Sequence, residues 1–212
     1  MKKHVYLFAV VIFVLYAFGA QEVVADQLPL GYFLQEAGNK CDVYFTLEGA
    51  YEGTTYSSML LGQRVTSQGL PADVESLIFA LTNSIPNLTV KADAANKLIY
   101  HIMDKRLLAS KDYVMNEVLE SVKFDGNAAG LVDRIKEKLP RLSNQSFGQA
   151  PVLVINNTTG IALDAKTVSV RDALSNGVNL VGYNRLVWTS FTSLETYQTM
   201  VHFLGQLPRS EH

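Results

Sequence analysis

Apolar residues recur at helical spacing in five segments of the chain, and between these segments they form short strand-like runs. In the first helical segment, which follows Pro29, the apolar positions run from Leu30 to Ala37, and Gly38 is predicted to end the helix. The same spacing returns four more times along the chain. The five predicted helices begin after Pro29, Pro71, Asn127, Ser169 and Ser193.

The runs between the helices predict β-strands, because they are short, rich in β-branched and aromatic residues, and bounded by turn residues. The best defined run spans residues 185–191 and contains Trp188, the only tryptophan. Another, at residues 98–103, contains His101. The predicted strands lie at residues 43–47, 88–92, 98–103, 122–124, 152–155, 161–163 and 185–191.

Alternating helices and strands predict an α+β fold, with short helices packed on small mixed sheets. The same order occurs in both halves of the chain, so we predict two tandem β-α-β-β-α-type modules, at residues 26–110 and 111–212. The second module is predicted to close with a C-terminal helix, capped by Ser193 and stopped at Gly205.

The first 25 residues are typical of a secretory signal peptide. Lys2 and Lys3 precede an apolar run of 16 residues, at positions 5–20, and Ala25 supplies a small residue at the predicted cleavage site. The run is shorter than the roughly 20 residues of a membrane-spanning helix. An uncleaved anchor is the alternative. Either way, we expect the bulk of the chain to be exported, to the periplasm or outside the cell.

One part of the chain resembles a known family. Residues 167–174, Thr-Val-Ser-Val-Arg-Asp-Ala-Leu, followed by the strand at 185–191, resemble the short periplasmic domains at the N-termini of secretins and TonB-dependent receptors. The sequence Val-Lys-Phe-Asp-Gly at residues 122–126 is similar to the same opening pattern, so the resemblance covers about residues 118–192. It implies a non-catalytic envelope module that docks protein partners by its sheet edges or helix faces.

The charge balance argues against nucleic acid as a partner. The chain has 18 Lys and Arg against 20 Asp and Glu, a formal net charge of −2 and no basic stripe that would neutralise phosphates. No second long apolar run follows the first 25 residues. Contact with a membrane is therefore expected only through the N-terminal segment, if that segment is uncleaved.

Cys41 is the only cysteine, so the fold is not held by an internal disulfide. Three interpretations of this residue stay open. It is a small buried residue just before the strand at 43–47, the site of an intermolecular disulfide in an oxidising compartment, or a nucleophile.

The sequence contains none of the short motifs that mark common hydrolases, zinc sites, redox sites or nucleotide-binding loops. His101 and His202 are the alternatives for a catalytic histidine. His202 and Glu195 could form a weak metal pair, but a solvated helix face is favoured, because zinc needs three or four ligands and no others lie nearby in the sequence. The other acidic residues considered for catalysis are scattered singly, mostly at turns and caps, so we predict no metal and no cofactor. These residues are Asp104, Asp112, Asp125, Asp164 and Asp172.

Together these observations favour an exported, non-catalytic module for protein binding or envelope assembly. Arg185 and Trp188 are the predicted contact patch, and burial of Trp188 in the core is the alternative. Any cluster of exposed Tyr or Phe residues would also mark a binding surface. Two other functions stay open. One is an exported hydrolase using His101 or His202 with a carboxylate, and the other is a structural subunit joined through Cys41 or an open sheet edge.

Overall fold

A computed structural model of the chain describes residues 27–52, 63–66, 71–143, 160–176 and 185–203. Within these ranges the chain forms helices and mixed sheets, which confirms the predicted α+β fold class. The predicted signal peptide at residues 1–25 and the predicted strand at 152–155 lie outside the described residues. Among the helices of these ranges, none is both long enough and apolar enough to cross a membrane.

The described elements follow one another as short helices and strands. The helices are α1 (Leu30–Cys41), α2 (Val74–Ser84), α3 (Lys105–Leu108), α4 (Ala128–Lys136) and α5 (Val170–Asn176), with a 3-10 turn at Val114–Asn116. The strands are β1 (Gln27–Pro29), β2 (Tyr44–Tyr51), β3 (Arg64–Thr66), β4 (Leu88–Ala92), β5 (Ile99–Asp104), β6 (Val118–Asn127), β7 (Leu142–Ser143), β8 (Gly160–Ser169), β9 (Leu186–Ser193) and β10 (Thr199–Phe203).

Six of the strands form a central mixed sheet in the order β4-β5-β2-β9-β10-β7. β2 runs parallel to both of its neighbours, β5 and β9, and β10 runs parallel to β7. β4 is antiparallel to β5, and β10 is antiparallel to β9. Two antiparallel ribbons complete the fold, the short pair β1–β3 and the long pair β6–β8.

Two hydrophobic clusters lie on opposite faces of the central sheet. Phe45 and Leu47 of β2 belong to one cluster, and Tyr44 and Ala50 pack with the other. Since successive side chains of a strand point to opposite faces, the clusters are separated by the sheet. Helices α1 and α2 cover the first face. Helices α4 and α5 cover the second, together with the β6–β8 ribbon.

The two predicted modules are joined through this sheet. β2 comes from residues 26–110, and its neighbour β9 comes from residues 111–212. Apart from Leu186, the first cluster comes from residues 28–102, and apart from Tyr44 and Ala50, the second comes from residues 107–201. Each half of the chain therefore covers one face of a sheet that both halves build.

Local sequence signals explain where most helices begin. Asn127 caps α4 as predicted, because its side-chain oxygen accepts a hydrogen bond from the backbone N–H of Gly130 at 2.8 Å. Asp73 caps α2 in the same way through the N–H of Ser76 at 2.7 Å. Ser169 Oγ accepts from the N–H of Asp172 at 3.1 Å, the contact that the predicted capping box requires.

Helix α1 extends beyond its predicted end at Gly38. A Cβ atom at this position would meet the side chain of Arg185 and would lie 2.8 Å from the carbonyl oxygen of Val43. Glycine here allows the helix to pack closely against Val43 and Arg185. The helix ends instead at Asp42, whose φ of 54° is left-handed.

The prediction of a C-terminal helix after Ser193 is wrong. Residues 194–196 form a turn, and Thr199–Phe203 forms β10, antiparallel to β9. Ser193 Oγ accepts backbone hydrogen bonds within this turn, as a helix cap would. Tyr197, however, has a left-handed φ of 54°, which stops a helix after one turn. Pairing with β9 then outweighs the helical spacing of apolar residues such as Val201.

Candidate functional site

Helix α5 covers a group of polar side chains on the second face of the central sheet. Thr46 and Glu48 alternate along β2 with the core residues Phe45 and Leu47, so they face the helix. Polar groups removed from water need hydrogen-bond partners, and these side chains find them in one another. We call the group the buried polar layer, and it comprises Thr46, Glu48, Asp93, His101, Tyr113 and Arg171.

Glu48 is the centre of the first half of this layer. Its Oε1 accepts a hydrogen bond from Nε of Arg171 at 2.5 Å, and its Oε2 accepts from Nη2 at 2.8 Å. Oε2 also accepts from the hydroxyl of Tyr113 at 2.6 Å. Arg171 Nη2 reaches Asn116 Oδ1 as well, at 3.0 Å. The fully buried carboxylate is thus paired and hydrogen-bonded at both oxygens, as a buried ion pair requires.

The charges around Glu48 alter the acidity of its two partners. Burial opposes protonation of Arg171, but the hydrogen bonds and the negative charge of Glu48 outweigh it, so the pKa of Arg171 is raised above its ordinary value. Burial, followed by the charge of Glu48, raises the pKa of Tyr113 well above its ordinary value. At neutral pH, Arg171 is therefore charged and Tyr113 is neutral in the folded protein.

His101 is the centre of the second half of the layer. Its Nδ1 lies 2.8 Å from Oγ1 of Thr46, and its Nε2 lies 3.0 Å from Oδ2 of Asp93. The other carboxylate oxygen of Asp93 accepts from the backbone N–H groups of Ala95, at 2.8 Å, and Asn96, at 2.7 Å. Burial works against ionisation of Asp93, but these hydrogen bonds prevail, and the pKa of Asp93 is lowered.

A hydroxyl, an imidazole and a carboxylate in line have the composition of a catalytic relay, but this one is closed to substrate. His101 is 2% exposed, and both of its ring nitrogens are hydrogen-bonded.

The edge of the layer is more open, because Asp172 of α5 is only half-buried. One ligand atom from each of Asp93, His101 and Asp172 lies within 4.8 Å of the others.

The two residues of the predicted contact patch are not brought together. Trp188 is fully buried beneath α5, where its Nε1 donates a hydrogen bond to Ser175 Oγ at 3.2 Å. The assignment of Trp188 to a surface contact is therefore wrong for this conformation. The reason is that its strand, β9, lies inside the sheet, between β2 and β10, with both faces covered.

Arg185 connects the start of β9 to the end of α1. Its Nη2 lies 2.9 Å from Oδ1 of Asp42, its Nε donates to Asn39 Oδ1 at 3.1 Å, and its guanidinium carbon lies 4.6 Å from the centroid of the Tyr44 ring. These contacts engage Nε and Nη2 within the molecule, whereas Nη1 is buried without a hydrogen-bond partner among the described residues. They give Arg185 a structural role at the junction of helix and sheet.

The remaining predicted site residues lie apart from the buried polar layer. His202 pairs through its backbone with Thr189 in the sheet, and its side chain lies outside the described residues. Cys41, at the end of α1, is half-buried, and its Sγ donates to the carbonyl of Pro71 at 3.9 Å. Burial, followed by the charge of Asp73, raises the pKa of Cys41. A thiol held in this way is a poor nucleophile.

Sequence reasoning missed Glu48, Arg171 and Tyr113. Glu48 directly follows the predicted strand at 43–47, and the observed strand continues through it to Tyr51. Had the strand been extended, a charged residue within a buried apolar strand would have indicated a partner of opposite charge. Comparison of the chain with protein-family models, curated proteins and solved structures finds no match. Its function is therefore inferred from its own residues.

Proposed function

We propose that this protein is an exported, non-catalytic module that binds a protein partner, in the cell envelope or outside the cell. The outer surface of helices α1 and α2 supplies the contact. One observation carries this proposal: Tyr32 and Phe79 expose 68% and 70% of their surface. They are the two most exposed large hydrophobic side chains among the described residues, and both are aromatic.

Both aromatic residues lie on helices that cover the first face of the sheet. The inward residues of these helices, such as Phe33 and Leu77, fill the hydrophobic cluster there. Phe79 lies one helical turn from Glu75 and from Asn83, which are exposed, so core packing does not account for an aromatic residue at this position. Exposed aromatic side chains are enriched at protein interfaces and contribute much of their binding energy.

The buried polar layer supports a non-catalytic role. Glu48 and His101 are the side chains of this layer best suited to acid–base catalysis, but both are buried and hydrogen-bonded to other side chains. These hydrogen bonds stabilise the contact between helix and sheet. A hydrolase using His101 has less support for this reason. Assembly through Cys41 also has less support, because its thiol is half-buried and hydrogen-bonded within the molecule. The resemblance of residues 118–192 to periplasmic domains that dock by sheet edges or helix faces favours a protein-binding role for the chain, and the signal peptide pattern favours export.

Quantitative affinity purification from the organism that encodes the protein tests this proposal. The full chain, a Tyr32→Ser/Phe79→Ser variant and a Lys123→Ser/Asp164→Ser control are purified in parallel. The control changes an exposed ion pair on the β6–β8 ribbon, with 86% and 78% of these side chains exposed.

We expect one exported protein to be recovered in constant ratio with the wild-type chain and the control, and to be lost with the aromatic variant. Exposed substitutions of this kind change stability by only about 0.5 kcal/mol, so all three chains are expected to fold. Equal recovery with all three chains contradicts the proposal, and so does the absence of any protein recovered in constant ratio.

A further inference from the structure

Three side chains from separate elements converge at the edge of the buried polar layer. Asp93 follows β4, His101 lies in β5, and Asp172 lies in the first turn of α5. One ligand atom of each lies within 4.8 Å of the other two. We propose that these three residues bind a divalent transition-metal ion of the Zn²⁺ type, through His101 Nε2 and one carboxylate oxygen each from Asp93 and Asp172.

The three side chains are held by further hydrogen bonds, as metal ligands usually are. Two backbone N–H groups fix Oδ1 of Asp93, which leaves Oδ2 directed at His101. Thr46 Oγ1 holds Nδ1 of the imidazole at 2.8 Å. When the metal occupies Nε2, the ring proton resides on Nδ1, and the hydroxyl of Thr46 accepts it, because a hydroxyl both donates and accepts. The imidazole thus has a suitable partner with or without a metal.

The local charge also favours a cation. Two carboxylates lie close together, and the cationic side chains nearby are directed elsewhere. Arg171 interacts electrostatically with Asp172, but its hydrogen bonds go to Glu48 and Asn116. Lys97 Nζ contacts the backbone carbonyl of Asp93 at 3.4 Å. Among the described residues, no hydrogen bond to the carboxylate of Asp172 is present.

The ligand set selects the class of metal. An imidazole nitrogen with carboxylate oxygens suits Zn²⁺ and related transition-metal ions, whereas Mg²⁺ and Ca²⁺ prefer oxygen ligands throughout. Three protein ligands leave at least one coordination position for water. Asp172 is half-buried, which places this position at the open edge of the layer.

A titration with the metal alone tests the proposal. The full chain without an affinity tag is treated with a chelator and titrated with Zn²⁺ in a calorimeter, and with Co²⁺ while its visible absorption is recorded. Asp172→Asn removes a ligand from a half-buried position and is not expected to unfold the protein. Asp164→Asn, an exposed carboxylate of β8, is the matched control. Thr46→Val keeps the shape of the side chain and removes only the hydroxyl.

We expect one Zn²⁺ per chain in the wild type and in Asp164→Asn, with binding that millimolar Mg²⁺ does not displace. Asp172→Asn should bind at least tenfold more weakly, and Thr46→Val about 10–100-fold more weakly, because it loses the group that orients the imidazole. Co²⁺ should give d–d absorption bands that appear in Asp172→Asn only at higher Co²⁺ concentration. The absence of stoichiometric Zn²⁺ binding by the wild type overturns the proposal, and so does undiminished affinity in Asp172→Asn.

Discussion

The carboxylate of Glu48 in strand β2 accepts two hydrogen bonds from the guanidinium of Arg171, which lies 123 positions further along the chain in helix α5. Glu48 is completely buried, and Arg171 is 8% exposed. Because β2 comes from the first half of the chain and α5 from the second, this ion pair fixes how the two halves meet on one sheet.

Removal of Arg171 should destabilise the protein strongly. Arg171→Met leaves the Glu48 carboxylate buried without its counter-charge, and breaking a buried pair in this way costs about 3–5 kcal/mol. Urea unfolding followed by circular dichroism measures the free energy of unfolding. A second substitution, Glu48→Gln, removes the uncompensated charge, so the double variant should be more stable than Arg171→Met alone.

The exposed pair Arg134–Glu137 provides the control for this prediction, since both of its side chains are more than half exposed. Arg134→Met should change the free energy of unfolding by no more than about 0.5 kcal/mol. Equal effects of Arg171→Met and Arg134→Met would show that the buried pair does not hold the two halves together.

The stability of the protein should decline at alkaline pH through Tyr113. Its pKa is raised in the folded state, so the folded protein keeps this phenol protonated at a pH where the unfolded chain ionises it, above about 10. Ionisation then favours the unfolded state, and stability falls as pH rises from about 10 toward the folded pKa. Denaturant unfolding at several pH values should show a shallower decline for Tyr113→Phe. Parallel curves for the two proteins would contradict this.

Trp188 should report its burial directly. It is fully buried, and its Nε1 is bonded to Ser175. Because Trp188 is the only tryptophan, the emission of the folded protein should be strongly blue-shifted and protected from quenching by iodide. Unfolding in urea should shift the emission to longer wavelength. A red-shifted, readily quenched emission before unfolding would show that Trp188 is exposed in the folded protein.

Gly38 should be intolerant of a larger side chain. A Cβ atom there would lie 2.8 Å from the carbonyl oxygen of Val43 and against the side chain of Arg185, so Gly38→Ala should cost about 1–3 kcal/mol of stability. Gly49 in β2 is the matched position, because a Cβ there would meet Phe191 at 3.4 Å, near ordinary contact. The midpoints of thermal unfolding should therefore fall further for Gly38→Ala than for Gly49→Ala.

Features that depend on neighbouring residues were predictable from the sequence. The cap at Asn127 joins atoms only three residues apart, and the apolar stripe of α4 lies within one short segment. The C-terminal strand β10 was not predictable in this way, because Val201 suits either a helix or a strand locally. Pairing with β9, which tertiary structure provides, decides between them.

The buried polar layer depends on chain topology, and this explains why its pairs escaped prediction. His101 stood out as a histidine within an apolar strand, but its partner Thr46 lies in β2, and the sequence does not specify that β2 and β5 are neighbours. The sequence pattern at residues 169–172 indicates only that Asp172 is part of a helix cap. Its closeness to Asp93 and His101 arises only when α5 packs on the sheet.

Photocrosslinking at the outward aromatic positions tests whether helices α1 and α2 form a protein-binding surface. Tyr32 and Phe79 are replaced singly by the photoreactive residue benzoylphenylalanine in the organism that encodes the protein, and the exposed Lys123 on the opposite side of the sheet serves as the control. Irradiation should yield an adduct of the same mass at Tyr32 and Phe79, containing one exported protein, and not at Lys123. The absence of an adduct at both aromatic positions, or the same adduct at Lys123, would show that helices α1 and α2 do not form this binding surface.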